Sequence, residues 1–391
     1  MTEYTSTQSN SPFSTGLPAL YVIAFVSGIS IGLFNPFIST LMAQHQVDPL
    51  WIGANSTIYF LVIALGTPLV AKILRQLGLR KTMIFGLAIM GLSAPLFTMT
   101  TQLPLWFVIR AVMGVGCCLY LVSGQTALNF FCHEGNRATV NGLNALALTF
   151  GFGIGPVIGS SLYNVSPKLS FSLGSLIVLS GIVVVWIGLP EKSVVFKPSS
   201  HTGIFRKLKL PLHGAFAYGF AESALVSLYP VYLLGQNYTV EQIGYTFAVF
   251  VVGGLVSTVP VTHLADRFGR LKILLICVCT VVFSFLSLSL IENSVVTQIC
   301  ALIAGASISP IFPLAMALIG EKLAQNELSS GSALFTGVYS FGCTAGPLLS
   351  SIVMQIFGDR YIFSLAIVSF VLFLFYILKP SKKGLDYQNY R

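Results

Sequence analysis

Charged residues are scarce in this sequence of 391 residues: Asp, Glu, Lys and Arg make up only 8% of it, against about 25% in a typical soluble domain. So few charges cannot cover a surface that faces water, and 55% of the residues are apolar. We therefore expect lipid to surround most of the molecule, which excludes a soluble globular protein. Runs of roughly 20 apolar residues are long enough to cross the hydrocarbon core as helices.

Acidic residues are outnumbered by basic ones, 12 against 21, which gives a formal net charge of +9. The Lys and Arg residues cluster in alternate loops between the apolar runs, including the segments 72–81, 190–210 and 379–391. Because basic loops stay on the cytoplasmic side of a membrane, we predict a multi-pass protein of the cell (inner or plasma) membrane with both termini in the cytoplasm. Basic residues dispersed over one membrane face also argue against nucleic-acid binding.

Signals of catalysis and of cofactor binding are lacking as well. The sequence has no phosphate-binding glycine loop of the P-loop type, and no Ser-His-Asp arrangement stands out. Its seven cysteines lie in or beside apolar runs without convincing metal-ligand spacing, so we interpret them as small core residues. We predict that the protein is not an enzyme, binds no metal or cofactor and is not driven by ATP.

Twelve apolar segments are present, separated by turn-forming or charged residues. They lie at about 19–41, 52–73, 82–100, 103–128, 139–163, 169–189, 211–234, 243–264, 273–291, 295–319, 330–357 and 361–378. The longest polar stretch separates the sixth from the seventh. We predict a disordered tail at 1–18, a six-helix bundle at 19–189, a cytoplasmic linker at 190–210, a second six-helix bundle at 211–378 and a cytoplasmic tail at 379–391.

An internal repeat becomes visible when 191 is added to the residue numbers of the first half. The shift places Ile52-Gly53 on Ile243-Gly244, Gly78 on Gly269, Gly114 on Gly305, and Gly155-Pro156 on Gly346-Pro347. One constant offset without a gap indicates two copies of one six-helix unit. In transporters built from such repeats the binding site lies near the membrane midplane between the halves, and rocking of the halves exposes it to each side in turn.

The segment Thr262–Lys272, T-H-L-A-D-R-F-G-R-L-K, holds five charged or titratable side chains between two apolar runs. It resembles the loop G-x-L-A-D-R-x-G-R-K that joins the second and third helices of each half in the major facilitator superfamily. Thr262 stands in place of the first glycine. The resemblance implies an all-α membrane protein with twelve transmembrane helices in two pseudo-symmetric six-helix halves, which transports a solute as a monomer.

The resemblance assigns conformational gating to Asp266, Arg267, Gly269 and Arg270. The copy of the loop in the first half, A-K-I-L-R-Q-L-G-L-R-K, retains Gly78 and Arg80. Arg75, however, stands where the family has Asp. We therefore expect Asp266 to stabilise one conformational state, and we expect the first-half loop to contribute less.

Arg110 is the one Lys or Arg deep in an apolar run, in the segment R-A-V-M-G-V-G. This segment resembles the fourth-helix motif R-x-x-x-G-x-G of the family, which implies a role in proton coupling. A cation in the hydrocarbon core is costly and normally faces a cavity or a partner. The alternative is an arginine near the outer end of its helix whose side chain extends to the membrane interface.

Glu222 is the one acid well inside a predicted span, the seventh. Burial disfavours the charged form of an unpaired carboxyl group, so such a group can load and unload a proton near neutral pH. We predict that Glu222 carries the proton. The alternatives are a permanently protonated, hydrogen-bonded side chain and a ligand for the substrate only.

The predicted fifth helix carries G-F-G-I-G-P-V-I-G-S. It resembles the family motif G-x-x-x-G-P-x-x-G, which is associated with exporters and antiporters. The residues concerned are Gly151, Gly155, Pro156 and Gly159, and the second half has a weaker counterpart in Gly346 and Pro347. Small residues let helices pack closely and proline bends a helix, so ordinary packing is an alternative that is compatible with gating.

In the family fold the first, fourth, seventh and tenth helices line the cavity. By that rule the substrate-cavity candidates are Asn35, Tyr120, Gln125, Tyr218, Glu222 and Tyr229. Each of them also fits a packing or interhelical hydrogen-bonding role. Pro310 and Pro313 should bend the tenth helix.

We hypothesise that the protein exports a small organic solute in exchange for protons by alternating access. A proton-coupled importer or a uniporter of the same fold is the alternative within this class. A membrane sensor that transports nothing is the alternative from another class. The partners expected are the solute, protons and the lipid bilayer.

Overall fold

The computed structural model describes residues 11–132, 136–191, 204–291, 293–323 and 327–378. Most of these residues are helical. The helices are α1 (Leu17–Gln44), α2 (Pro49–Ser93), α3 (Leu103–Phe131), α4 (Arg137–Val165), α5 (Pro167–Gly188), α6 (Ile204–Lys207), α7 (Lys209–Gly235), α8 (Val240–Phe268), α9 (Arg270–Leu290), α10 (Ser294–Ile308), α11 (Ile311–Lys322), α12 (Leu328–Phe357) and α13 (Ser364–Leu378), with 3-10 turns at Ala94–Met99 and Asp359–Tyr361.

These helices confirm the all-α arrangement of twelve spans. α2 contains the second and third spans, and the tenth span is divided into α10 and α11 at Ser309 and Pro310, where the sequence predicts a bend. By length and composition, ten stretches of the described residues could cross a membrane, and Pro49–Met99, 51 residues long, is counted once among them. α7, which contains Glu222, is not among the ten.

Two glycines make the turns between consecutive spans at equivalent places in the halves. Gly78 has φ 79° and interrupts α2, and Gly269 has φ 98° and separates α8 from α9. L-residues with a side chain rarely adopt a positive φ, whereas glycine does so readily. The two positions differ by 191, so the repeat seen in the sequence is a repeat of backbone conformation.

The predicted domain limits differ in detail from the helices observed. α1 begins at Leu17, and residues 11–16 form turns beside it, where the Tyr21 hydroxyl donates to the carbonyl oxygen of Pro12 at 2.7 Å. The described part of the expected disordered tail is therefore packed against the bundle. Residues 1–10, 192–203 and 379–391, which make up most of the predicted tails and linker, lie outside the described residues.

Close helix contacts repeat with the same offset. A methyl group added at Gly114 of α3 would come within 3.0 Å of the carbonyl oxygen of Tyr59, and one at Gly305 of α10 would strike that of Phe250. Gly114 and Gly305 differ by 191 in residue number, and so do their partners Tyr59 and Phe250. Small residues at these crossings let backbones approach closely, so the halves share one internal packing plan.

The halves meet mainly through α2 with α12, α4 with α8, and α1 with α7. We call the side of the molecule where α5 ends and α7 begins the linker face. The Gly78 and Gly269 turns lie on that side. The opposite side, where α2 and α8 begin, is the far face.

Candidate functional site

The two halves cross closely at the far face. A methyl group added at Gly53 of α2 would lie 2.6 Å from the carbonyl oxygen of Pro347 in α12. One added at Gly244 of α8 would lie 2.7 Å from the carbonyl oxygen of Pro156 in α4. The predicted Gly-Pro segments therefore meet the Ile-Gly segments of the opposite half, and the repeat makes the two crossings equivalent.

Thr57 of α2 reinforces one of these crossings. Its hydroxyl donates to the carbonyl oxygen of Thr344 at 3.0 Å and accepts from the backbone nitrogen of Leu348 at 3.2 Å. These two groups flank Pro347 and are four residues apart in α12, the spacing of a helical hydrogen bond. A side chain from one half thus bridges a backbone carbonyl and a backbone amide beside the proline of the other half.

Polar contacts at the outer ends of the same helices close the far face further. Asn164 at the end of α4 donates to Glu241 at 3.3 Å, and Gln355 of α12 donates to Asp48 at 3.5 Å. The hydrogen bonds that we find between the halves, in the described part of the chain, lie at this face. The space between the halves is therefore closed at the far face.

The remaining glycines of the predicted exporter motif pack α4 against α1. A methyl group at Gly151 would strike the carbonyl oxygen of Phe25, and one at Gly155 would lie 2.8 Å from that of Ile29. Gly159 faces the ring of Phe37. In the second half, Gly346 faces the carbonyl oxygen of Phe220 in α7. These glycines hold each half together, whereas the carbonyl oxygens of the prolines beside them lie against the other half.

Nearer the linker face, a pocket of about 90 Å³ opens between α1, α3 and α4. Its walls come from the first part of α1 and α4 and the last part of α3, including Leu20, Ile23, Ala24, Ser27, Tyr120, Leu121, Gly124, Gln125, Asn144 and Leu148. Since each of these segments lies toward the linker face, the pocket is nearer the linker face than the far face.

Of the six predicted cavity residues, three have side chains that are at least partly exposed, and three are buried. Gln125 is exposed, and Tyr218 and Glu222 are partly exposed. The other three side chains are buried, with exposed fractions of 1% for Asn35, 1% for Tyr120 and 2% for Tyr229.

The buried tyrosines, Tyr120 and Tyr229, contact other side chains inside the bundle. Tyr120 borders the linker-side pocket and accepts a hydrogen bond from Cys117 at 3.5 Å. Tyr229 packs among aromatic rings, with its ring centre 5.4 Å from that of Phe363 and 6.0 Å from that of Tyr232. Tyr229 thus has the packing role that the sequence left open as an alternative.

Arg110 is fully buried in α3. Its Nη2 donates to Oδ1 of Asn35 at 2.7 Å, and its guanidinium carbon lies 4.4 Å from the ring centre of Tyr59. Nε and Nη1 have no hydrogen-bond partner in the described part of the chain. A side chain extending to the membrane interface would be exposed at its tip, so this geometry favours the interior alternative.

Glu222 of α7 is held by one hydrogen bond, in which the Tyr339 hydroxyl of α12 donates to Oε2 at 2.7 Å. The ring of Tyr339 lies near those of Tyr218 and Phe312, with centroid separations of 6.0 and 5.4 Å. No ion pair to Glu222 occurs among the described residues. Glu222 and Arg110 each have other partners, so the structure does not bring these two charges into contact.

Two of these neighbours, Tyr339 and Phe312, were not predicted as site residues from the sequence. Tyr339 lies in the eleventh span, which the rule of four lining helices leaves out. Phe312 lies just after the break at Pro310 and has no polar group that would mark it. A search for aromatic residues within one turn of the predicted bend could have found Phe312.

Arg270 connects three helix ends at the linker face. It contacts Asp266 at 3.1 Å and Glu321 of α11 at 2.6 Å. Arg267, beside it, lies over the ring of Phe268 at 5.4 Å. The resemblance predicted the acid and the two arginines, whereas Glu321 was not anticipated because it lies about 50 residues away in sequence.

The equivalent loop of the first half is held differently. The Arg80 guanidinium lies over the ring of Trp186 in α5 at 4.4 Å, and Lys81 pairs with Glu191 at 3.3 Å. Arg75, which replaces the family's acid, has the same sign of charge as these residues. Among the described residues, the charged network of the second half therefore has no copy in the first half, which agrees with the asymmetry expected from the sequence.

Comparisons with known proteins agree with this architecture. The family model described as Major Facilitator Superfamily matches residues 20–212 and 211–388. An uncharacterized MFS-type transporter of Bacillus subtilis, YfkF, is 26% identical over 353 residues, covering 88% of this chain and 90% of the relative. One from Yersinia pseudotuberculosis is 27% identical over 379 residues, covering 92% and 94%.

Solved structures of transporters share the fold. A mutant form of the nucleoside transporter NupG superposes with a TM-score of 0.77 at 11% identity, covering 92% of this chain and 98% of the other. A bacterial homolog of the human lysosomal transporter Spinster, inward-facing and unoccupied, gives 0.75 at 13% identity, covering 92% and 96%. With both halves matched by the family model, the chain belongs to the Major Facilitator Superfamily of membrane transporters.

Proposed function

We propose that this transporter exports a small organic solute in exchange for protons. The observation that carries the proposal is Glu222: a carboxyl group inside a membrane span, partly exposed, with a tyrosine as its hydrogen-bond partner and no described ion pair. A carboxyl group in such a place can take up a proton when water is excluded and release it when water returns. Ionisable residues within membrane spans commonly mark proton and substrate paths.

The orientation follows from charge. The linker face carries the basic segments that the positive-inside rule places in the cytoplasm, so we assign the linker face to the cytoplasm, with both termini there, and the membrane to the cell membrane. The structure is closed at the far face, and its pocket lies toward the linker face. On this assignment it represents the state open to the cytoplasm, from which an exporter takes up its solute.

The proposed direction, export, is supported by the Gly-Pro segment of α4, which resembles the family motif associated with exporters. Pro156 meets α8 of the other half, while Gly151 and Gly155 hold α4 against α1. This rigid contact controls whether the far face opens. Asp266, Arg270 and Glu321 would stabilise the linker-face ends of α8, α9 and α11 as one unit while the halves rock.

Proton flux in inside-out vesicles tests this function. Energised vesicles would be monitored for internal pH while drugs, sugars, amino acids and chelators are added one at a time. In the wild type, one solute should dissipate the proton gradient, and Glu222→Gln should abolish this response while sparing exchange of labelled solute. The matched control is Glu191→Gln, because Glu191 is an exposed glutamate outside the spans.

Each contrary outcome has a distinct meaning. Undiminished proton coupling in Glu222→Gln would remove Glu222 from the proton path. Solute flux that ignores pH would identify a uniporter. Gradient-driven movement toward the linker face would identify an importer, and the absence of flux for any solute would favour a sensor.

A further inference from the structure

Glu222 sits in a wall of aromatic rings that its role as a proton carrier does not require. Tyr218, Phe312 and Tyr339 contact one another pairwise, with ring centroids 5.4 to 6.0 Å apart. All four side chains are partly exposed, whereas most of α7 around Tyr218 and Glu222 is buried. We call these four residues the aromatic–carboxylate wall.

Two backbone features assemble this wall. The break at Pro310 starts α11 afresh, which brings Phe312 against the rings of α7 and α12. Gly219 lets α7 lie against α12, since a methyl group there would lie 2.9 Å from the Tyr339 ring. The arrangement is therefore fixed by the positions of three helices, and the carboxylate lies where those helices meet.

The chemistry of the wall favours a positively charged partner. Ring faces of Tyr and Phe attract cations through their quadrupole, most strongly where water is excluded. The titratable side chains that face Glu222 are Tyr218 on its own helix and Tyr339 and Cys343 on α12. None of these supplies a positive charge, and Arg110 is bound to Asn35 and Tyr59 in the other half.

We infer that the aromatic–carboxylate wall binds the positively charged amino, ammonium or similar group of the transported solute, so that the substrates are organic cations. This inference rests on the proposed function, because it takes the aromatic–carboxylate wall to be part of the transport site. A neutral or anionic solute supplies no counter-charge, so Glu222 would have to stay protonated while it is bound, because an unpaired charge in a membrane interior is costly. An organic cation is the solute that pairs with the charged carboxylate.

The inference also explains exchange. A single carboxylate that binds an organic cation in its charged form cannot hold a proton at the same time. The cation entering from the linker face would displace the proton from Glu222, and a proton entering from the far face would displace the cation. Competition for one group couples the two flows without a second titrating site.

Equilibrium binding without a gradient tests the inference. The purified full-length protein in detergent would be titrated with radiolabelled tetraphenylphosphonium, and displacement by benzyltrimethylammonium, benzyl alcohol and phenylacetate would be compared. The two cations should compete, the neutral and anionic compounds should not, and lowering the pH should weaken binding. Glu222→Gln should weaken tetraphenylphosphonium binding by about tenfold or more, because it removes the charge.

Ring variants separate the aromatic contribution from packing. Phe312→Leu keeps an apolar side chain but removes the ring face, and it should weaken binding by roughly 3- to 10-fold. The matched control is Phe341→Leu, two residues from Tyr339 on α12 and 65% exposed. Elution volume and thermal midpoint would confirm that each variant is folded.

Either of two results would overturn the inference: no Glu222-dependent binding of either cation, or displacement by benzyl alcohol as effective as by benzyltrimethylammonium. Failure of the proposed function gives a different pattern. Glu222-dependent binding of cations without cation-driven proton flux in vesicles would support cation binding at the wall and contradict proton exchange. Proton exchange with a neutral solute, without cation binding, would do the reverse.

Discussion

Arg110 brings a positive charge into the first half with little to balance it. Nε and Nη1 of Arg110, and Nδ2 of Asn35, have no partner in the described part of the chain. The first-half carboxylates that the structure describes, Asp48 and Glu191, lie at its two faces. Charges taken out of water cost several kcal/mol unless an opposite charge compensates. This cluster therefore lacks one negative charge.

Supplying that charge should stabilise the protein. In Asn35→Asp, a carboxylate oxygen would replace the amide oxygen that lies 2.7 Å from Nη2 of Arg110. We expect the free energy of unfolding to rise by about 1–3 kcal/mol, since a charged hydrogen bond replaces a neutral acceptor. The thermal unfolding midpoint in detergent measures this. Proton coupling should weaken in the same variant, because a fixed anion would neutralise Arg110.

The control for this prediction is Asn141→Asp. The Asn141 side chain donates to the carbonyl oxygen of Arg137 in its own helix, at the linker-face end of α4. A surface change of this kind should alter stability by less than about 0.5 kcal/mol. A lower midpoint for Asn35→Asp than for the control would show that Arg110 does not accept a carboxylate partner.

The functional residues were predictable from sequence only as far as charge marks them. Glu222 and Arg110 are unusual because they are ionisable residues in apolar runs, and the structure places both in the interior. Their partners carry no such mark. Tyr339 and Tyr59 resemble the other tyrosines in the spans, and only the packing of α12 on α7, or of α2 on α3, brings them to these charges.

At the scale of helices, the closed far face depends on two crossings without side-chain bulk. Gly244 of α8 and Gly53 of α2 occupy them, and each lies against the carbonyl oxygen of a proline in the other half. Alanine fits neither crossing in this state. The crossings must separate when the far face opens, so bulk added there acts on one state only.

Gly244→Ala should therefore shift the equilibrium toward a state open at the far face. Its methyl group would lie 2.7 Å from the carbonyl oxygen of Pro156, and overpacking of this kind costs about 1–3 kcal/mol, or roughly a tenfold change in population. Double electron–electron resonance between labels at the exposed far-face positions Trp51 and Phe357 would measure it. In Gly244→Ala, a larger fraction of molecules than in the wild type should show the longer distance between these two labels.

Gly142→Ala is the matched control, because no atom lies within 4 Å of a methyl group at that position of α4. Its distance distribution should equal that of the wild type. If Gly244→Ala gave the wild-type distribution as well, the crossing would not determine the conformational equilibrium.

Sequence patterns predicted the elements better than the contacts between them. The positive φ of Gly78 and Gly269, and the break at Pro310, follow from the residue types themselves, because glycine adopts a positive φ readily and proline interrupts a helix. The bond network of Thr57 does not, because its partners Thr344 and Leu348 belong to the other half. The repeat does not reveal it either, since position 248, which corresponds to Thr57, is alanine.

The molecule as a whole combines a repeated backbone with unrepeated charge. Glycine contacts recur at an offset of 191 in both halves, yet the first half buries a cation and the second half holds a carboxylate. The ion pairs of Arg270 are likewise confined to the second half. The repeated parts provide the common geometry for rocking, while the differing charges give the two halves separate roles.

Alternating access itself makes a prediction about the whole molecule: holding the far face shut should stop transport. Asn164 and Glu241 lie on opposite halves and are joined at 3.3 Å, so cysteines at both positions should react with a short thiol crosslinker. Crosslinking should abolish solute flux in vesicles, and a reductant that cleaves the linker should restore it. Cys279, an exposed native cysteine, would be replaced by Ser in every variant.

Cysteines in place of Lys81 and Glu191 provide the matched pair. These residues also lie at 3.3 Å and are exposed, but Lys81 belongs to the first half and Glu191 directly follows that half, so neither belongs to the second half. A crosslink between them leaves the two halves free to move relative to each other, so flux should persist. Loss of flux with both pairs would indicate general damage by the reagent. Full flux with the far-face pair crosslinked would contradict rocking, because a solute could then cross without separation of α4 from α8.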